Sequence, residues 1–141
     1  MTKEFQKNYL KFTAFVVGSF APIFFLGTML ATSEPARWSL DLLSLPLDGV
    51  QNYDAPTTRF LSALTGGFLL GWGVCIWCLQ AWVYDKAPNE VRKAVLAGLV
   101  AWFCLDSAGS YASGNVSNVF FNVLVLLIAS GTLWKPIQTD N

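Results

Sequence analysis

The chain has 141 residues and no formal net charge, with 54% hydrophobic and only 13% charged residues. A soluble domain this short could not bury so much apolar surface, so lipid must solvate part of it. Nine basic residues interspersed among nine acidic ones offer no basic field for nucleic acid, and the absence of histidine removes histidine-ligated haem or metal, Ser-His triads and histidine proton relays.

A polar start carrying Lys3, Lys7 and Lys11 is followed by an apolar run from Phe12 to Thr32, and a first membrane helix is predicted over 10–32. A basic start before an apolar run also describes a signal peptide. The run exceeds a typical h-region and no A-x-A site closes it, so an uncleaved helix is expected. Pro22 would leave the carbonyl of Gly18 free, which predicts a kink.

Residues 33–58 form the longest loop. Glu34-Pro35 breaks the helix, and Trp38, Leu42 and Leu45, with Leu40, Leu43 and Leu47 beside them, predict a short amphipathic helix in the headgroup region anchored by Trp38. Asp48-Gly49 and Asp54-Ala-Pro56 supply turn chemistry. Thr57-Thr58 should then cap a second helix over 59–83. A polar link with Pro88 leads to a third helix over 91–112, and the turn Ser113-Gly-Asn115 to a fourth over 116–134, which Lys135-Pro136 stops. The expected fold is thus a single all-α membrane domain over 1–141, four transmembrane helices in an up-down bundle with a short interfacial helix in the first loop.

Lys3, Lys7, Lys11, Lys86, Arg92, Lys93 and Lys135 flank one end of these helices, and Arg37 and Arg59 the other. The positive-inside rule then places both termini in the cytoplasm and loop 33–58 outside. Tyr9, Trp82, Tyr84 and Trp134 mark the inner boundary, and Trp38, Tyr53 and Tyr111 the outer one.

One carboxylate, Asp106, falls inside the third apolar run, where an ionisable group needs a partner or a purpose. At about 1.5 Å per residue it lies roughly 9 Å below the Ser113–Asn115 turn, level with Asn122 on the returning helix. Ser110 and Asn118 form a shallower level. Asp106 and Ser110 share one face by i,i+4 spacing, as do Asn118 and Asn122, so the two faces can hydrogen-bond across the hairpin. Arg59, at the head of the second helix, could reach down toward Asp106 past Ser62, Gly66 and Gly73. An unsheltered carboxylate at a helix centre costs about 2.5–3.5 kcal/mol, which several hydrogen bonds or one arginine would largely offset.

Gly67 and Gly71 make a GxxxG step, with Ser62 and Gly66 a small-xxx-small step beside it; such faces admit close backbone approach, within the bundle or from a second copy or larger membrane complex. Trp72 and Trp102, far from the interfacial belts, are expected to fill the grooves at Gly66, Gly67, Gly71 and Gly73, or else to wall a site for a flat apolar ligand. Cys75-Ile-Trp-Cys78 has redox spacing, but in an apolar helix with no second pair the cysteines are expected to serve as small apolar residues.

The runs Arg59–Gly67, Leu45–Gly49 and Trp102–Ser110 resemble stretches of small bacterial four-helix membrane proteins of unknown function. That resemblance implies the bacterial cytoplasmic membrane and brings no activity with it. The favoured expectation is a non-enzymatic structural or accessory bundle without cofactor or metal, the Asp106 cluster acting as interhelical glue and lipid as its surroundings. The alternative is a small-molecule or proton-coupled binding or transport protein, with Asp106, Arg59, Ser110, Asn118 and Asn122 as polar groups and Trp72 and Trp102 as walls.

Overall fold

The computed structural model describes residues 2–137. Helix α1 spans Lys3–Ser19 and starts before the expected residue 10, because Thr2 caps it through a 3.3 Å bond from the Phe5 amide and the lysine-rich start favours helix. It buries Gln6, Leu10, Thr13, Ala14 and Val17 on one helical face. The helix breaks at Phe20 and resumes as α2, Ala21–Leu26, with Pro22 in its first turn, so the expected kink is present.

After a short 3-10 turn at Leu30–Thr32, helix α3 spans Glu34–Ser44. Instead of only lying along a boundary, α3 packs against α2 and the last long helix, where the Ser117 hydroxyl donates to the Leu43 carbonyl at 2.6 Å. Trp38 is exposed and Asp41 buried. The Asp41 carboxylate accepts from the Gly49 amide at 3.1 Å, and Arg37 donates to the Gly49 carbonyl at 3.2 Å. Gly49 has φ +71°, a left-handed conformation that glycine adopts without penalty. The loop is thereby folded back on α3.

Helix α4 spans Pro56–Cys78 and continues as a π-helical turn, Leu79–Val83. Ala55 precedes it without a side-chain cap, so the expected Thr57-Thr58 cap does not form: Pro56, with its preset φ, takes the first position and draws both threonines into the helix. Helix α5 spans Pro88–Ala112 and α6 Val116–Ser130, extended by a 3-10 turn at Gly131–Trp134. Four helical stretches, Lys3–Leu26, Pro56–Val83, Pro88–Ala112 and Val116–Trp134, are long and apolar enough to cross a membrane. The chain is therefore all-α, a bundle of four long apolar helices with α3 between the first two.

Packing divides the bundle into two pairs. α1 and α2 lie along α4, α5 lies along α6, and α1 and α3 bridge to α6; α4 and α5, though adjacent in sequence, are not packed along their length. Glycine explains the first pairing. A Cβ at Gly66 would stand 3.0 Å from the Ala21 carbonyl oxygen, and one at Gly73 would stand 2.9 Å from that of Ala14 and 3.0 Å from the Gly18 Cα. Gly67 and Gly71 have nothing within 4 Å of an added Cβ. The close approach thus runs through Gly66 and Gly73, and the GxxxG step faces outward.

At one end of the bundle the start of α1 meets the 84–87 link, and residues 133–137 meet Gln6 of α1 and Asn89 and Arg92 of α5. There the last carbonyls of α6, and those of the 3-10 turn and Lys135 that follow it, receive donors from other elements. Tyr9 donates to Ile128, Thr13 to Ala129 at 2.7 Å, Gln6 to Lys135 at 3.1 Å and Arg92 to Leu133 at 2.7 Å. Arg92 is only 8% exposed, and its charge complements the negative end of the helix. Tyr84, fully buried, donates to Lys3 and Gln6, and burial first, then the charges of Asp85 and Glu4, push its pKa up to about 12. Outside this layer Asp85 pairs with Lys7 and Lys3.

Two outcomes follow from this packing. Gly73→Val should lower stability by about 1–3 kcal/mol through overpacking against α1, while Gly71→Ala should leave it unchanged or raise it, as read from unfolding in detergent. The Asp85 carboxyl is held below its usual range by the Lys7 hydrogen bond first, burial opposing and the charges of Lys7 and Lys3 adding. Its contribution is therefore present above the ordinary carboxylate range and lost as pH falls through the depressed value. The protection factors of residues 3–11, taken against the intrinsic exchange rate at each pH, should fall over that acid window, and Lys7→Met should abolish the change.

Candidate functional site

The turn between α5 and α6 is tight: Gly114 has φ +83°, and the Asn115 amide donates to the Ser110 carbonyl at 2.8 Å. Residues equally distant from it on the two helices therefore lie at equal depth. Asn122 Nδ2 donates to Asp106 Oδ2 at 2.6 Å, and Asn118 Nδ2 donates to the Ser110 hydroxyl at 2.7 Å. Asn118 also reaches Asp106 Oδ2 at 3.1 Å, and Asn122 the Ser107 hydroxyl at 3.2 Å. The two levels expected from helical rise are thus joined into one network, with Asn122 and Ser110 buried and Asp106 half-buried.

Arg59 is not part of it. Its Nη1 donates to the carbonyls of Tyr53 and Asp54 at 2.7 and 2.8 Å, tying the loop to the start of α4. The stripe of Ser62, Gly66 and Gly73 that would have given it a path is occupied by α1 and α2; Ser62 itself donates to the Phe24 carbonyl at 2.7 Å. Among the described residues no lysine or arginine nitrogen lies within 4 Å of the Asp106 carboxylate. Both amide donors that it receives go to Oδ2, so Oδ1 has no hydrogen-bond partner among those residues.

Beside this network the separation of α4 from α5 leaves a cavity of about 300 Å³. One face of each long helix lines it: Val17 and Phe20 at the end of α1, Phe24 on α2, Thr65, Leu69 and Trp72 on α4, Leu99, Trp102 and Asp106 on α5, and Asn118, Phe121, Asn122 and Val125 on α6. Leu40 and Leu43 of α3 complete the lining. The walls are aliphatic and aromatic except at Thr65 and along the edge formed by Asp106, Asn118 and Asn122. Its volume falls at the small end of the range for small-molecule sites, about 300–1,000 Å³.

Trp72 and Trp102 face each other across the gap with ring centroids 6.2 Å apart and planes inclined at 55°. They do not fill the grooves at Gly66 and Gly73, which α1 and α2 occupy, nor those at Gly67 and Gly71, which are open; Trp72 lies instead against Gly98 of α5. Trp102 and Asp106 also border an open groove of about 470 Å³ on the outside of α5, with Leu105, Gly109, Ser110 and Ser113. They therefore form the wall between cavity and surface. Cys75 and Cys104 are exposed and Cys78 half-buried, and all three are free.

The roof leucines and the phenylalanines were not legible as site residues, because nothing distinguishes them from other apolar residues in apolar runs. The Leu40/Leu43 spacing on an amphipathic helix is the one signal that could have marked the roof.

Asn122→Ala should cost about 1–3 kcal/mol by leaving the buried side of Asp106 without its shortest donor. Combined with Asp106→Ala, the loss should be clearly less than the sum of the single losses, a coupling readable by a double-mutant cycle in detergent unfolding. Comparison of the chain with known protein families, curated proteins and solved structures found no match. Of the resemblance carried by Arg59–Gly67, Leu45–Gly49 and Trp102–Ser110, the fold supports the broader part: a small multi-pass membrane protein with four long apolar helices.

Proposed function

We propose that this chain is a membrane binding protein whose interhelical cavity receives the apolar body of a small molecule while Asp106, Asn118 and Asn122 hold its polar head. The observation that carries this reading is Asp106, a carboxylate with no hydrogen-bond partner at Oδ1 among the described residues, in the wall of an apolar cavity. A carboxylate serving only to lock helices together would be expected to have both oxygens engaged or neutralised, because each unmet acceptor in an apolar setting is costly. Ser110 orients Asn118, and Ser107 orients Asn122. Trp72 and Trp102 wall the apolar part. No proton-transfer chain is needed for this role.

The reading also takes the bundle to span the bacterial cytoplasmic membrane with both termini inside. Seven lysines and arginines (Lys3, Lys7, Lys11, Lys86, Arg92, Lys93, Lys135) at the end shared by the termini, against Arg37 and Arg59 at the other, support the orientation. The bacterial assignment rests on the sequence resemblance. A second role, as an accessory subunit or self-associating bundle, is favoured by the open face at Gly67 and Gly71; Gly66, expected to share that face, is taken up within the chain.

Native mass spectrometry of the protein released from mild detergent tests the binding role. The unmodified chain should carry a small bound mass, and Val125→Trp, which fills the cavity from α6, should lose it without a fall in melting temperature. An empty unmodified protein, or a bound mass that survives Val125→Trp, contradicts the role.

A further inference from the structure

We infer that the ligand of this cavity is a lipophilic organic cation that reaches Asp106 from the lipid side of α5. The inference rests on the binding role proposed above and adds the charge of the ligand and its route. Three independent features point to positive charge. The carboxylate has no lysine or arginine partner within 4 Å among the described residues, so the fold leaves one negative charge uncompensated beside an apolar cavity. Its Oδ1 is free to accept an N–H, while Oδ2 is already held by Asn118 and Asn122 and so is fixed in place. Five aromatic rings, Phe20, Phe24, Trp72, Trp102 and Phe121, line the same cavity, and their faces attract a cation while also accommodating an alkyl or aromatic body. A carboxylate-bearing ligand would instead meet Asp106 as a like charge, and a neutral alcohol would gain only a hydrogen bond.

The route follows from the packing. α4 and α5 are not packed along their length, and Trp102 and Asp106 border both the cavity and the open groove on the outside of α5. In a chain whose α5 is long and apolar enough to cross a membrane, that groove is bordered by lipid. An amphiphilic cation dissolved in the bilayer therefore meets Asp106 at the rim before its body passes Trp102 into the cavity. The desolvation of Asp106 is already incurred by the fold, so pairing with the ligand recovers energy that forming an ion pair from two fully hydrated groups would not.

The test uses the full chain in lipid nanodiscs and three probes of equal chain length, decylammonium, decanol and decanoate, followed by tryptophan fluorescence because Trp72 and Trp102 line the cavity. Decylammonium should bind saturably and about tenfold or more tighter than decanol, with decanoate weakest. Asp106→Asn should remove the preference for the ammonium head, so that within the variant decylammonium binds no tighter than decanol. The ranking of the three heads in the unmodified chain needs no variant and decides the charge even if Asp106→Asn fails to fold. Equal binding of decylammonium and decanol, with both lost in Val125→Trp, overturns the cation while leaving the cavity role intact. No saturable signal from any of the three overturns both. For the route, Leu105→Trp, which narrows the groove outside α5 that Leu105 lines with Trp102 and Asp106, should slow association of decylammonium at least severalfold with little change in its final affinity; an unchanged association rate rejects access past α5.

Discussion

A carboxylate among apolar helices must be given donors, and that requirement sets the register of α5 against α6. The hairpin turn at Ser113–Asn115 places Asn122 beside Asp106 and Asn118 beside Ser110, so two amides from one helix serve three side-chain acceptors on the other, Asp106, Ser107 and Ser110. A shift of one residue would rotate both asparagines by about 100° and break every one of these bonds. Apolar contacts alone would tolerate sliding, because leucine, valine and phenylalanine on α6 offer similar surfaces at several registers. The polar network therefore selects one arrangement.

The second constraint is backbone proximity. α4 commits Gly66 and Gly73 to α1 and α2, whose carbonyls and Cα atoms sit where a side chain would be. Beyond the link at 84–87, α5 lies along α6 instead of α4. Bulky Trp72 and Trp102 meet across the separation without closing it. The cavity is thus a consequence of unequal packing distance, narrow where glycine faces backbone and wide where tryptophan faces tryptophan. Helix α3, held by Ser117 and by the Asp41–Gly49 contact, then covers the space that the two pairs leave.

What could be read from residues alone was whatever depends on distance along one helix or across one tight turn. The four long helices, the break at Pro22 and the levels of Asp106 and Asn122 are of that kind. What depended on the choice of neighbour was not legible. Arg59 is long enough to reach downward, but the Tyr53 and Asp54 carbonyls at its own end offer acceptors at no cost in unwinding or desolvation. Gly67 and Gly71 form the better-known spacing, yet Gly66 and Gly73 face α1 and α2, and periodicity cannot say which side of α4 those helices take. Arg92 counts in the sequence only as one of the charges flanking one end of the helices, and nothing there marks Gln6. Both prove to be buried donors for the carbonyls that follow α6, which becomes evident only when the two ends of the chain are seen to lie at one end of the bundle.

The two polar layers of the bundle differ in a way that bears on function. At the terminal end, cationic and neutral donors converge on backbone carbonyls, groups that the chain cannot avoid having. At the other end the acceptor is a side chain, and an amide at position 106 would satisfy Asn118 and Asn122 through its own oxygen. Asparagine there would provide the same interhelical bonds without placing a charge at that depth, which costs about 2.5–3.5 kcal/mol on insertion scales. The carboxylate therefore brings something that helix association does not require: a second oxygen that the fold leaves without a donor among the described residues. A role confined to holding helices together explains Oδ2 and leaves Oδ1 without a reason, which the cation proposed above would supply.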